Sequence, residues 1–280
     1  MVKVIKIQAK EIFTKTKLPG ADWVINQYVG CEHQCLYCYA KFIGKWKPKS
    51  YGVWGKWVEA KINAPELVHP VKCRKAAISP QAKLFNRVNG KSVEGSIFMS
   101  SISDPYQPIE KELKLTRQIL ENLDKDVDLS ILTKSDLVIR DIGLFKKFKN
   151  ISVGLTINGF GNKEKEIFEP FSSTNAARIK ALKVLKDNRI ANYAFVSPII
   201  PGLIDLQDII GKTKGFVDSY WFEFINLRGA GKEFAEVLKK QYPQVRKILQ
   251  DKKLFADFID KCKSIIKSAN IKVQDMVLHN

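Results

Sequence analysis

The chain has 280 residues, of which 45% are apolar, enough for one large domain or two small ones with a full core. No apolar run approaches the length of a bilayer span and the first residues lack a signal-peptide core, so a soluble, cytoplasmic chain is expected. A net charge of +18 points instead to a polyanionic partner.

Residues 1–20 read as an N-terminal extension. An apolar, strand-like stretch follows from Trp23 to Val29 and runs into a cysteine-rich loop. Residues 41–95 then interrupt any regular alternation with tryptophans, glycines, prolines and lysines. They read as an elaborated first crossover, whose helix is expected over Asn63–Lys75 with Pro65 near its N-terminus. Between positions 41 and 91 there are twelve Lys and Arg but only two acids, Glu59 and Glu66. Trp46, Tyr51, Trp54 and Trp57 are interleaved with these cations. Charges that release phosphate counterions, beside rings that stack on bases, predict a nucleic-acid-binding segment. A solvated lysine-rich face is the plainer alternative.

Downstream, strand-like and helix-like segments alternate. Strands are expected at Ile97–Ser101, Val127–Thr133, Ile151–Ile157, Ala191–Ile200 and Ser219–Asn226. Helices are expected at Leu115–Leu123, Leu137–Phe148, Ser173–Asp187 with Ser172 or Ser173 as N-cap, Leu206–Phe216 and Lys232–Lys240. Six strands, each followed by a helical candidate, predict parallel strands with crossover helices. The fold class is therefore α/β, an incomplete (β/α)6 or partial TIM barrel over residues 21–230. Residues 231–280 form a C-terminal extension. Its residues Leu254 to Ile266 keep helical spacing, and Ile271–Leu278 reads as a last strand. In such a barrel, function sits at the C-terminal ends of the strands.

Cys31, Cys35 and Cys38 lie in the run Gly30-Cys-Glu-His-Gln-Cys-Leu-Tyr-Cys-Tyr39, with C-x3-C-x2-C spacing. Three thiolates on one short loop can hold three irons of a [4Fe–4S] cluster and leave the fourth open to substrate, whereas a cluster sealed by four cysteines mainly carries electrons. Zinc held by the three cysteines and His33 is the competing metal reading. His33 lies inside the same tight loop, however, and no second cysteine pair follows at zinc-ribbon spacing. Five cysteines is an odd count, which argues against disulfides. Cys262 falls on the apolar stripe of a late helix. Cys73 lies between Lys72 and Arg74, cations that favour its thiolate and make it a candidate reactive thiol, with a plain helix-face cysteine as the leading alternative.

The spacing, with an aromatic just before the last cysteine, resembles the signature of radical S-adenosylmethionine enzymes. Ser103-Asp-Pro-Tyr-Gln-Pro-Ile-Glu110, Leu132-Thr-Lys-Ser-Asp136 and Ser197-Pro-Ile-Ile-Pro-Gly202 resemble landmarks of the spore photoproduct lyase-like branch, in the same order. The resemblance implies S-adenosylmethionine as co-substrate, chelated through its amino and carboxylate groups at the open iron, and an external one-electron reductant. It implies cofactor-binding roles for Tyr37 near the adenine and for Ser103 and Asp104 on the methionine ammonium. Lys134 would meet the cofactor's carboxylate or ribose, and Thr156 would contribute a hydroxyl. Arg178 matches a family arginine, with a surface charge as the alternative. One departure matters. The lyase's hydrogen-donating cysteine is replaced by Ser101, whose O–H bond is too strong to donate. Splitting of a thymine dimer is then not implied unless Cys73 supplies the thiol.

The expected function is radical chemistry on a nucleic acid, as repair or nucleotide modification. Radical modification of a peptide or protein is the alternative enzyme. A non-catalytic nucleic-acid-binding module with a structural cluster is the alternative of another class.

Overall fold

A computed structural model describes residues 2–68 and 95–279. Its strands are β1 (Lys3–Ile7), β2 (Phe13–Lys15), β3 (Trp23–Ile25), β4 (Tyr28–Val29), β5 (Trp57–Lys61), β6 (Ser96–Met99), β7 (Asp128–Thr133), β8 (Asn150–Ile157), β9 (Ala191–Ile199), β10 (Ser219–Phe224) and β11 (Val273–Val277). Eight of them form one sheet in the order β11-β10-β9-β8-β7-β6-β3-β2. Every neighbouring pair in it is parallel except β2 with β3. The six expected strands appear in sequence order at its centre, as single crossovers require.

Side-chain alternation splits this sheet into two unlike faces. Ile97, Met99, Leu129, Ile131, Val153, Leu155, Ala194, Val196, Phe222 and Phe224 point to one face and join the main hydrophobic core. The same core receives Ile119 and Leu120 from the helix Leu115–Asn122, Leu182 and Leu185 from Asn175–Asp187, Ile209 and Ile210 from Leu206–Thr213, and Cys262 and Ile266 from Lys252–Ser268. The other face carries Ser130, Lys134, Gly154, Thr156, Tyr193 and Ser197. Contacts between strands confirm this phase, since Lys134 reaches Thr156 and Tyr193 reaches Ser130. Helices therefore cover the apolar side and leave the polar side to the site.

Several local features depart from expectation. The stretch Trp23–Val29 divides, with β3 in the large sheet and β4 in a three-stranded sheet of order β1-β5-β4. The N-terminal extension and the first crossover thus supply strands of their own. The segment Asp136–Asp141 is a 3-10 helix followed by a short α-helix, Ile142–Phe145, in place of one long helix. It is pinned from outside, because Arg140 bonds both Glu110 and Asp141 while Tyr106 bonds Asp141. The helix Asn175–Asp187 is capped by Thr174, which accepts from the Ala177 amide. Ser172 and Ser173 are engaged elsewhere, with Glu169 and Asp136. The expected helix after Asn63 is present over Ala64–Leu67, and its continuation, with Cys73, lies outside the described residues.

Gly154 is required by its neighbour strand. The Tyr193 ring lies so close over it that a Cβ would come within 2.2 Å. Replacing Gly154 with Ala should displace the ring, break the hydrogen bond from its hydroxyl to the Ile131 carbonyl, and lower stability by about 1–3 kcal/mol. A denaturant-unfolding midpoint unchanged from the parent protein would show that this close approach does not exist.

Candidate active site at the cysteine loop

Residues 31–38 contain little regular structure, so their conformation is imposed by neighbours. Gly30 opens the loop with φ +88, and a Cβ there would stand 2.5 Å from the Trp57 carbonyl of β5. Only glycine fits that close approach. The Gln107 side chain then clasps the loop on two sides. Its amide donates to the Gly30 carbonyl at 3.3 Å and its oxygen accepts from the Glu32 amide at 2.8 Å. Glu32 in turn accepts from the Ile109 amide. The Ser103–Glu110 motif is thus a cradle for the cysteine loop.

Asp104 carries the same connection deeper. Its buried carboxylate accepts from the Tyr106 amide (2.8 Å), the Thr133 hydroxyl (2.6 Å) and the Lys134 amide (2.7 Å). The His33 Nε2 lies 3.3 Å from it, an ion pair when the ring is protonated though poorly aligned for a hydrogen bond. The other ring nitrogen of His33 faces the Phe171 carbonyl at 3.1 Å. One carboxylate therefore joins the loop to the ends of β6 and β7. Burial alone would raise the Asp104 carboxyl, but His33, the Thr133 hydroxyl and the Lys134 amide together hold it at about 2. Ser103 donates to the Tyr28 carbonyl at 3.0 Å.

A second buried node, in which only Arg178 is marked by the sequence, supports the far side of the loop. Glu169 and Arg178 are both fully buried and form an ion pair. The Arg178 guanidinium also donates to the Ser173 carbonyl (2.8 Å), the Thr156 carbonyl (2.9 Å) and the Ser172 hydroxyl (2.8 Å). Glu169 accepts from the Tyr37 hydroxyl and from Asn158 at 2.8 Å. Arg178 is therefore an interior residue and not a surface charge. Burial opposes ionisation of Glu169, yet Arg178, Lys134 and Tyr37 lower its carboxyl to about 2. The Leu36 amide donates to the Phe168 carbonyl at 2.9 Å, which seats the loop directly on this node.

Between the two nodes stands Lys134. Its ammonium is 3.4 Å from the Thr156 hydroxyl and 5.9 Å from the centre of the Tyr37 ring. Desolvation works against its charge, but Glu169 and Cys35 outweigh that and raise its pKa. Tyr37, Lys134 and Thr156 are thus brought together beside the cysteines. Asp104 adjoins this group through the Lys134 amide, while Ser103 is bonded to the Tyr28 carbonyl.

The three cysteines are reduced, with Cys31 and Cys35 buried and Cys38 partly so. Burial pushes all three thiols upward. Asp104, Cys35 and Cys38 add to the rise at Cys31, and Glu169 adds to that at Cys35. Such thiolates need cations to exist, and iron is a soft-ligand partner of that kind. Among the described residues no group of three or more His, Cys, Asp or Glu side chains is arranged to hold a metal ion. The His33 Nε2 makes no hydrogen bond, and its other ring nitrogen faces the Phe171 carbonyl. The donor set fits a cluster whose thiolates bind separate irons.

The basic segment is less aromatic at its surface than its composition implies. Trp57 is fully buried, and Tyr51 and Trp54 pack against it at 5.4 and 5.6 Å between ring centres. Trp46, on the 3-10 helix Tyr39–Trp46, is 81% exposed, and Phe42 on the same helix is half-exposed. Lys47 is paired with the buried Glu59 at 2.6 Å. No helix among the described residues is long and apolar enough to cross a membrane.

No family model matches the chain. It is 50% identical over 279 residues to the uncharacterized protein MJ0683 of Methanocaldococcus jannaschii, spanning 99% of this chain and 98% of that protein. Spore photoproduct lyase complexed with dinucleoside spore photoproduct is structurally similar, with a TM-score of 0.65 at 16% identity over 98% of this chain and 82% of that one. A spore photoproduct lyase variant with bound AdoMet and dinucleoside spore photoproduct gives a TM-score of 0.62 at 15% identity, over 99% and 82%.

The two depressed carboxyls make the site acid-sensitive. Asp104 and Glu169 fall from ordinary values of 3.8 and 4.5 to about 2, so their contribution to stability is full at neutral pH and is lost as pH drops through that interval. Thermal midpoints should fall from about pH 5 to pH 2, and less steeply in Asp104→Asn than in the parent. Equal slopes in the two proteins would show that Asp104 is not held ionised by its neighbours.

Proposed function

This chain belongs to one family with MJ0683 and has the spore photoproduct lyase-like fold of the radical S-adenosylmethionine enzymes, and from that premise we propose that it is itself such an enzyme. Six of the eight strands, β3 and β6 to β10, are read as a partial barrel spanning residues 21–230, with β2 and β11 added by the flanking extensions. Residues 1–20 and 231–280 extend it at either end. Cys31, Cys35 and Cys38 would hold a [4Fe–4S] cluster. When bound and reduced by an external one-electron donor, the cluster and S-adenosylmethionine supply a 5′-deoxyadenosyl radical that takes hydrogen from a substrate carbon.

The protein's own part is positioning. Asp104 and Gln107 hold the first half of the loop, and Glu169 and Arg178 hold the second. Tyr37 offers a ring, Lys134 a cation and Thr156 a hydroxyl on one side of the cysteines, a set suited to adenine, carboxylate and ribose. Ser103 retains acceptor capacity toward an ammonium, while Asp104 already accepts from three protein donors and acts chiefly by fixing the strand ends. The substrate is proposed to be a nucleic acid. The support is the excess of cations in residues 41–91 and the exposed Trp46, together with a structural neighbour that binds a dinucleoside product. Ser101 occupies the place of the lyase's thiol, and its hydroxyl is bonded to Asn26 at 3.3 Å. Nucleotide modification therefore suits the site better than dimer splitting.

The observation that carries this reading is the presence of three free thiols, two buried and one partly so, on one loop gripped from both sides. Cys35→Ala should remove the brown chromophore and the release of 5′-deoxyadenosine together, with little change in the far-ultraviolet spectrum. Retained cleavage in that variant would falsify the cluster assignment. Reversal of charge at Lys45 and Lys49 should weaken oligonucleotide binding and reduce its salt slope by about two, at constant iron content. Unchanged binding would make residues 41–91 a solvated face.

A further inference from the structure

One cluster of polar side chains at the same end of the sheet is used by none of the roles above. Ser197 on β9 donates to Glu223 on β10 at 2.6 Å, and His279, two residues beyond β11, places Nε2 3.0 Å from the other Glu223 oxygen. The register between β9 and β10 shifts at this point, so that Ser197 and Pro198 together oppose Glu223. Such an irregularity re-aims side chains beside functional sites. Each carboxylate oxygen has about two lone-pair positions, so Glu223 keeps one free acceptor on each oxygen.

Directly beneath lies an aromatic shelf. Thr156, Phe195 and Trp221 are register partners across β8, β9 and β10. They share the face that Lys134 and Ser197 occupy, away from the helices. Phe195 and Trp221 are partly exposed, and neither belongs to a hydrophobic cluster of the described residues. Two strand spacings, about 10 Å, separate Trp221 from Thr156. An aromatic ring laid on Phe195 and Trp221 would thus lie beside the Lys134–Thr156 pair, with its edge toward Glu223.

Resting on the nucleic-acid reading, we infer that Phe195, Trp221 and Glu223 form a nucleobase subsite that selects an amino-bearing base over thymine. The rings supply stacking, which every base accepts. Glu223 supplies the choice, because a carboxylate accepts from exocyclic amino groups such as the cytosine N4. Thymine has no amino group, and its single N3–H donor is flanked by two carbonyl oxygens that repel the carboxylate. Ser197 and His279 fix the carboxylate's orientation, so the strand β11 completes the subsite.

The test is equilibrium binding of fluorescein-labelled oligo-dC, oligo-dA and oligo-dT, and of oligo-rC, to the cluster-loaded protein, read by anisotropy. Oligo-dC or oligo-dA should bind about tenfold more tightly than oligo-dT, and Glu223→Gln should erase most of that preference at equal melting temperature. Trp221→Ala should weaken all of them together. Comparison of oligo-dC with oligo-rC assigns the base to DNA or RNA. Equal binding of all bases, or a preference retained in Glu223→Gln, overturns the subsite and leaves the nucleic-acid reading standing. Absence of binding by any oligonucleotide overturns both.

Discussion

A loop of eight residues bearing three thiols has almost no hydrogen bonds of its own to hold it, and the site depends on buried carboxylates that belong to other elements. Asp104 faces its His33 at 3.3 Å and ties the strand ends beside it, and Glu169 grips it through Tyr37. Both carboxylates are kept charged in the interior by several donors, the condition under which a buried ion is tolerated. Removing one partner from the Glu169–Arg178 pair would strand the other charge, at a penalty of about 3–5 kcal/mol. The architecture therefore spends its buried polar groups on keeping a loop rigid, as positioned sites require.

The same arrangement explains the division of the sheet. The helices that join the main core lie on the apolar face, and the other face carries serines, a glycine, Lys134 and Thr156 beside the rings of Tyr193, Phe195 and Trp221. Lys134, Thr156, Phe195 and Trp221 then stand side by side on successive strands. Cofactor groups and substrate groups would share one continuous surface, ordered by strand position.

Parallel strands buried on their apolar face were readable because their β-branched runs match their observed bounds closely, as at Ile151–Ile157 and Ala191–Ile200. β1, β2 and β5 were not, because each is short or draws its register from a distant partner. β5 also contains Glu59, whose burial is made tolerable by Lys47, a pairing that no local pattern announces. The tryptophans of the basic segment show a similar limit. Interleaving with lysine looks the same whether a ring packs inward, as Trp57 does, or outward, as Trp46 does. Of the candidate site, the thiols, Lys134 and Thr156 stand out by motif and strand end. Glu169 and Glu223 carry no such mark, and Gln107 lies within a motif that does not announce its contact, since each acts through a contact made by the fold. Arg178 had the signal of position but not of burial.

The central claim is that three protein sulfurs bind a cluster with one iron left for a sulfonium ligand. Electron paramagnetic resonance of the anaerobically reconstituted, reduced protein tests it most directly. The account predicts about four irons per chain and a reduced-cluster signal whose g-values move when S-adenosylmethionine is added. Stoichiometric zinc in place of iron, or a signal indifferent to the sulfonium, would contradict it.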